Sequence, residues 1–371
     1  MSIFVTQSSM ASWEEYIEEI KPIFETKFMT NMGPIYKKLQ HQLEDYLKVP
    51  ELSMFVNGHL ALEMALQTMG FPRGSEVITT PYTFVSTTHA IARNGLIPVF
   101  CDINPDDYTI DVTKIEDLIT EKTVAIVPVH VYGNICDVEA IQKIADRHNL
   151  KVIYDGAHAF GEVYKGRAVG TFGDMTMFSF HATKVFNTIE GGAVAYHDRK
   201  YREKLHELKN FGIHGVDAVD NIGGNAKMDE FRAAMGVCNL RYVDEYIAKR
   251  KAVAEKYDEL LGDVKGIKFM KHRDGLVPNY SYYPIYVDPD NFGKTRDDVF
   301  DTLKEDDITA RRYFYPASND LDCYKDNYVI NETPVAHRTS LNILCLPMYA
   351  DLPLEDVERI CDLIKGVNRN E

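Results

Sequence analysis

The sequence predicts an α/β protein in which a large domain with a three-layer, mostly parallel sheet is followed by a smaller α+β C-terminal domain. Three observations lead there. From residue 53 to about 200, short β-branched or aromatic runs alternate with helical patterns, the order that builds a parallel sheet covered on both faces. A stretch from about 228 to 262 carries little glycine or proline and reads as one long helix leading out of that domain. Beyond it, NYSYYPIYV, TRDDVFDTLKEDDI, LNILCLPMY and PLEDVERICDLIKGV mix strands with helices. The boundary is placed near residue 245, giving a large domain over 1–245, N-terminal helices included, and a small one over 246–371.

In chain order, Ser12 and Glu15 have the spacing of a capping box, and Trp13, Ile17, Ile20 and Phe24 follow at helical intervals. Pro22 is expected to kink or end that helix. After TNMGP, a second helix over about 34–48 puts Leu39, Leu43, Tyr46 and Leu47 on one face. SMFV, EVITT, IPVFCDI, VAIVPVHV, KVIYD, MTMFSF and GAVAY then read as strands, with helices at GHLALEMALQTM, FVSTTHAIAR, VTKIEDLI and VEAIQKIADRH. Ligands of such sheets collect at the carboxyl ends of the strands. The residues to examine are therefore Asn57 and Gly58, Pro81 to Phe84, His130, Asp155, and Ser179 onward.

Composition narrows the function classes. With 45% hydrophobic and 26% charged residues the chain sits at globular averages, which excludes disordered and fibrous classes. No apolar run reaches the roughly 18 residues of a spanning helix. The N-terminus lacks the basic flank of a signal peptide, so a cytoplasmic protein is expected. The six cysteines show neither CxxC nor Cys/His ligand spacing and read as free thiols, with no metal site. A formal charge of −15 opposes binding to nucleic acid or to an anionic membrane. A small anionic substrate would instead need a local basic cluster, for which Lys209, Arg311, Arg312 and Arg338 are candidates, although each alone reads as a solvated charge.

The run SFHATKVFNTIEGGAV sets Lys184 between a strand and a glycine pair. A nucleophilic lysine needs its amine partly neutral, which a desolvated strand end provides. Asp155 closes the apolar strand KVIY, where a carboxylate is out of place as core. Taken singly, the aspartate reads as a helix cap and the lysine as a surface charge. Together they suggest pyridoxal 5'-phosphate, which requires a lysine, an acid beside its ring nitrogen and a phosphate cup. Gly58 opens a helix whose free amides suit the phosphate, Ser179 and Thr183 add hydroxyls, and Phe84 is placed to stack on the ring.

The run YDGAHAFGEVYKGRAVGTFGDMTMFSFHATKVFNTIEGGAV, with TPYTFVSTTHAI, VPVHVYGNICDVEAI and GGNAKMDEFRAAMG, resembles the DegT/StrS-type family of sugar-nucleotide aminotransferases, a fold-type-I pyridoxal-phosphate group. The likeness runs from TNMGP to LPMYADL. The resemblance implies that Lys184 is the Schiff-base lysine, Asp155 the carboxylate on the ring nitrogen and His158 the neighbour of the ring hydroxyl. It assigns Ser179, Gly58 and His59 to the phosphate and Phe84 to stacking. Asn225 matches an asparagine that reaches the phosphate of the neighbouring subunit, which implies a homodimer with shared sites. Two departures stand out: the family's SGT turn reads NGH here, and Lys227 replaces its usual arginine.

The implied reaction is transamination of a nucleotide-linked keto sugar, dTDP- or UDP-linked, with glutamate as amine donor and pyridoxamine phosphate as the alternate cofactor form. This is a step of amino sugar biosynthesis for O-antigen or other glycans. SFHATK resembles members that aminate carbon 4 of 4-keto-6-deoxy sugars, whereas carbon 3 enzymes more often have tyrosine where His181 stands. Sugar dehydratases of this fold have histidine in place of Lys184. A non-catalytic regulatory relative need not keep both Lys184 and Asp155.

Overall fold

The computed structural model describes residues 2–367. Strands β1 (Glu51–Phe55), β2 (Glu76–Thr79), β3 (Ile97–Phe100), β4 (Thr123–Val127), β5 (Lys151–Asp155), β6 (Met175–Ser179) and β7 (Gly192–Tyr196) form one sheet in the order β1-β7-β6-β5-β4-β2-β3. All neighbours pair in parallel except β7, which runs against both β1 and β6. The near-continuous apolar runs follow from burial on both faces. In β5, Val152 and Tyr154 pack on one face while Ile153 packs on the other.

Helices α1 (Trp13–Thr26) and α2 (Pro34–Leu47) precede the sheet, and α3 (Gly58–Met69), α4 (Ser86–Arg93), α5 (Val138–His148), α6 (Lys200–Leu208) and α7 (Glu230–Leu240) complete the layers. One outer layer joins α3, α4 and α6 to the sheet through Ala61, Leu66, Ile91 and Leu205. On the opposite face, α2 and α7 supply Leu39, Leu43 and Val237, and α5 supplies Ile141 and Ile144.

Helix α8 (Val243–Leu261) leads into a second unit in which β8 (Ile267–Phe269), β9 (Tyr283–Val287) and β10 (Ile343–Leu346) form an antiparallel sheet. Its core joins Tyr257, Ile285, Leu303, Leu344 and Ile360, and it takes in Ile3 from the N-terminus, which pairs with Ile308. Residue 245 lies just inside α8. Traffic runs the other way too, since Leu276–Val277 pairs with Val163–Tyr164 of the first unit.

Several local expectations are corrected. Pro22 does not end or break α1, because it lies on the exposed side and the flanking apolar residues, with Phe24 edge-on to Phe231 at 6.0 Å, hold the last turns against α7. The Ser12 hydroxyl accepts from the Glu15 amide, but the Glu15 carboxylate turns to Arg241 and Tyr242, so the reciprocal half of the box is missing. The long helix at 228–262 is two helices broken at Arg241 and Tyr242; α7 packs in the first core, while α8 begins there with Val243 and passes into the second core with Val253, Tyr257 and Leu261. VTKIEDLI forms two short 3₁₀ turns, the first capped by Asp111.

Lys209 is the largest departure. It is 2% exposed, and its Nζ donates to Tyr36 Oη (2.8 Å), Ser53 Oγ (2.8 Å) and the Met54 carbonyl (3.2 Å). It is neither a solvated charge nor open to a substrate anion. It braces β1 against α2 from inside. Burial pushes its ammonium down to about 7, whereas an unfolded lysine titrates near 10.4. Between those values the unfolded chain binds the extra proton, so the contribution of Lys209 to stability increases as pH rises from about 7 to about 10. Denaturant unfolding across that range should show the stability difference between wild type and Lys209→Met changing in favour of wild type toward high pH. A constant difference would mean the buried lysine keeps its proton.

Candidate active site

Strand β5 delivers Asp155 to the carboxyl edge of the sheet, 5% exposed. Its Oδ2 accepts from Thr87 Oγ1 at 2.7 Å and its Oδ1 from the Ala157 amide at 3.0 Å. Thr87 stands in the first turn of α4 and is itself paired with Thr83 Oγ1 at 2.8 Å. Burial pushes the Asp155 carboxyl above the usual carboxylate range, while Thr87, Ala157 and the charge of Lys184 act in the opposite direction. Among the described residues, Lys184 is the one cation whose charge bears on it. A buried carboxylate held by neutral donors and one lysine is suited to receive a second cation.

Lys184 arrives on the loop after β6, the neighbour of β5, in a turn closed by its own amide donating to the His181 carbonyl at 2.9 Å. Its Nζ lies 3.2 Å from Tyr282 Oη and 5.6 Å from the centre of that ring. Burial pushes the amine down to about 8, against the pull of the Asp155 charge first and of the Tyr313 phenol second. His158 is 5% exposed, and burial first, with Lys184 second, holds its imidazole well below the usual histidine range. The Tyr132 amide donates to its Nδ1 at 3.0 Å, so the neutral ring carries its proton on Nε2.

A cup of unpaired amides forms where α3 begins. Asn57 caps the helix by accepting from the Leu60 amide, and the amides of Gly58 and His59 have no acceptor among the described residues. Glycine is required there: a Cβ on Gly58 would stand 3.0 Å from Ser179 Cβ, and one on Gly192 would stand 2.6 Å from Gly58 Cα. The helix start therefore presses against the ends of β6 and β7 with Ser179 beside the free amides, which suits a phosphate. His59 adds no free hydroxyl. Its Nδ1 pairs with Ser86 Oγ at 2.9 Å, and its Nε2 lies 3.4 Å from Glu63.

The remaining candidates divide. Phe84, 57% exposed beside Thr83, packs on no other ring and has a face free for stacking. Arg311 has its guanidinium 5.6 Å from the Tyr313 ring centre, at the rim of the lysine's surroundings. Arg312 is instead tied to Asp297, and Arg338 is exposed on a helix of the second unit. His181 caps its own turn through Thr183 Oγ1 and lies 3.5 Å from Glu190. Asn225 is exposed and pairs with Asn210, while the next residue, Ala226, accepts from Val56 just before the cup. His130 is fully buried, stacked on Tyr154 at 4.6 Å, and serves the core.

Sequence reasoning missed Thr87, Tyr282, Tyr132 and Phe314. Thr87 lay inside a segment read as a helix and as part of the family likeness but given no role of its own, and Tyr282 inside one read as strand. Nothing in their spacing links them to Asp155 or Lys184. Phe314 lies parallel to His158 within 2°, with centres 6.1 Å apart, and parallel to Tyr132 within 11° at 5.8 Å.

The half-buried lysine, the buried aspartate, the amide cup with its serine, the neutral histidine and the open aromatic fit pyridoxal phosphate as a group. Comparisons agree with that geometry. A model of the DegT/DnrJ/EryC1/StrS aminotransferase family matches residues 11–365. The chain is 42% identical over 365 residues to the dTDP-4-amino-4,6-dideoxy-D-glucose transaminase of Shigella dysenteriae, covering 98% of this chain and 99% of that protein. It superposes on DesI, solved in the presence of its TDP-sugar product, with a TM-score of 0.95 at 30% identity, covering 100% of this chain and 93% of that one. A Streptococcus pneumoniae chain solved in its PLP form matches with a TM-score of 0.90 at 25% identity over 98% of both chains. The fold, the placement of Lys184 and Asp155 and these likenesses lead to one conclusion: the chain belongs to the DegT/DnrJ/EryC1/StrS aminotransferase family.

Proposed function

We propose that the protein is a pyridoxal-phosphate aminotransferase that aminates carbon 4 of a dTDP-linked 4-keto-6-deoxy sugar, with glutamate as amine donor, in amino sugar biosynthesis. The observation that carries this reading is the meeting of buried Asp155, at the carboxyl end of β5, with half-buried Lys184, on the loop that follows the neighbouring parallel strand β6. The choice of dTDP and of carbon 4 is supported by the Shigella dysenteriae relative.

When bound, pyridoxal phosphate supplies a carbonyl that exchanges for the amino group and a ring that withdraws electrons from the reacting carbon. The chain supplies the rest. Asp155 holds a proton on the ring nitrogen by charge, with Thr87 and the Ala157 amide fixing its two oxygens. His158 offers its Nε2–H to the ring hydroxyl oxygen. The free amides of Gly58 and His59 and the Ser179 hydroxyl bind the phosphate, and Phe84 covers one face. Lys184, with its amine brought down to about 8, holds the cofactor. Near neutral pH it is also able to take a proton from the substrate carbon and return one.

The same reading includes a homodimer. It is supported by the apolar face of α1, where Trp13 is 69% and Phe24 68% exposed, and by the exposed Asn225. Isologous pairing would make both sites composite.

Purified protein loaded with pyridoxal phosphate should be yellow, and borohydride should fix the cofactor to Lys184. Mixed with glutamate and a panel of keto sugar nucleotides, it should yield a 4-amino sugar nucleotide, identified by mass and proton spectra. An adduct on another lysine overturns the site, and a product aminated at carbon 3 overturns the regiochemistry.

Asp155→Asn should still bind cofactor yet lose activity, because an amide cannot hold the ring proton by charge. If that charge lowers the barrier by about 3–4 kcal/mol, turnover falls roughly a hundred- to a thousand-fold. Near wild-type turnover would make Asp155 an ordinary strand-end residue.

Mixing Lys184→Ala with Asn225→Ala subunits should restore part of the activity each variant lacks, since one site of the mixed dimer keeps both residues. No recovery despite proven subunit exchange would argue for sites built from one chain.

A further inference from the structure

We propose that Tyr282 is a positioning residue for Lys184, its neutral hydroxyl holding the lysine amine in place in both protonation states. The proposal rests on the reading of Lys184 given above. The contact joins the two units of the chain: Lys184 follows β6 of the first sheet, and Tyr282 immediately precedes β9 of the second. Nζ and Oη are 3.2 Å apart.

Three rings fix where that hydroxyl stands. His158 meets the Tyr282 ring edge-on with centres 4.7 Å apart, Tyr132 tilts against it at 5.8 Å, and Tyr313 packs perpendicular to it at 5.9 Å. Two of these neighbours come from the first unit, so the hydroxyl is registered against the sheet that carries the lysine. A side chain packed this way pre-organises its partner.

The hydroxyl's chemistry suits a lysine that alternates between amine and ammonium. A phenol donates one hydrogen and accepts others, so it accepts from the ammonium and donates to the free amine. A carboxylate in its place would favour the ammonium and retain the proton. Burial holds the Tyr282 phenol above its ordinary range, although Arg250 and Arg311 pull the other way, so it stays protonated near neutrality. The titratable and charged groups around the pair are Asp155, His158, Tyr132 and Cys345 besides Tyr313, Arg250 and Arg311. His158 is neutral, and Cys345 and Tyr132 are raised by burial, so Asp155 is the one nearby anion near neutral pH.

The test is Tyr282→Phe, which keeps the ring on His158, Tyr132 and Tyr313 and removes the hydroxyl alone. Misplacing a reacting group slightly costs up to about a hundred-fold, so kcat should fall roughly ten- to a hundred-fold, with KM for glutamate and for the sugar nucleotide little changed. A second measurement is made without turnover. Apoprotein is mixed with pyridoxal phosphate across pH, and capture on Lys184 is followed by the visible band and by borohydride labelling. Because the ammonium-to-phenol hydrogen bond is charge-assisted and stronger than the phenol-to-amine one, the ammonium loses more than the amine does, and half-maximal capture should occur at lower pH in the variant. A variant with wild-type kcat and an unshifted capture profile overturns the proposal. So does one whose kcat is intact while KM alone rises, since that marks a substrate contact. Absence of labelling at Lys184 in the unchanged protein overturns the cofactor reading as well, which distinguishes the two failures.

Discussion

A carboxylate is buried at the end of one parallel strand, with the charge of a half-buried lysine from the loop after the neighbouring strand bearing on it, and much of the molecule is arranged to make that tolerable. An ionised carboxylate in a dry site is costly unless hydrogen-bonded and neutralised. Asp155 obtains two neutral donors, one from the loop after its own strand and one from a threonine on a helix that follows a different strand. The parallel sheet makes this possible. It gathers the carboxyl ends of β1, β2, β4, β5 and β6 along one edge, so loops far apart in sequence meet within hydrogen-bonding distance.

The single antiparallel strand has a definite consequence at that edge. Because β7 returns beside β6 and starts at Gly192, it leaves room for the start of α3 to approach the sheet to van der Waals contact. Unpaired amides are thereby brought next to Ser179. Below them, Lys209 ties β1 to α2 with three oxygen acceptors. The cup is thus supported by a buried lysine that is closed off from solvent and substrate. The change from the family's SGT turn to NGH fits this view, since the amides come from the backbone and His59 is occupied by Ser86 and Glu63.

The lysine side of the site depends on the second unit. Tyr282 and Tyr313 come from beyond α8, while Tyr132 and His158 come from the first sheet, and their rings interleave around the Lys184 amine. This packing removes water from the amine and lowers its proton affinity. It also means that the docking of the two units, not the first sheet alone, sets the state of the lysine.

By itself the sequence determined the alternation of strands and helices and singled out Lys184, Asp155, Gly58 and Ser179 as candidates, because these are encoded within single short stretches. Apolar runs ending in Asp155 or leading to Lys184 are local signals, and a glycine opening a helix is another. What it could not determine were contacts between elements. The helix runs on through Pro22 because its opposite side packs against α7, and the predicted long helix is interrupted at Arg241 and Tyr242 before its second part passes from one core into the other. Lys209 reads as a surface charge until β1 and α2 close over it. Neither the segment of Thr87, although it shares in the family likeness, nor that of Tyr282 singles out the residue that meets the site. Only the tertiary structure decided their roles, because hydrogen bonds from Thr87 to Asp155 and from Lys184 to Tyr282 join residues 68 and 98 positions apart, a proximity that no local pattern encodes.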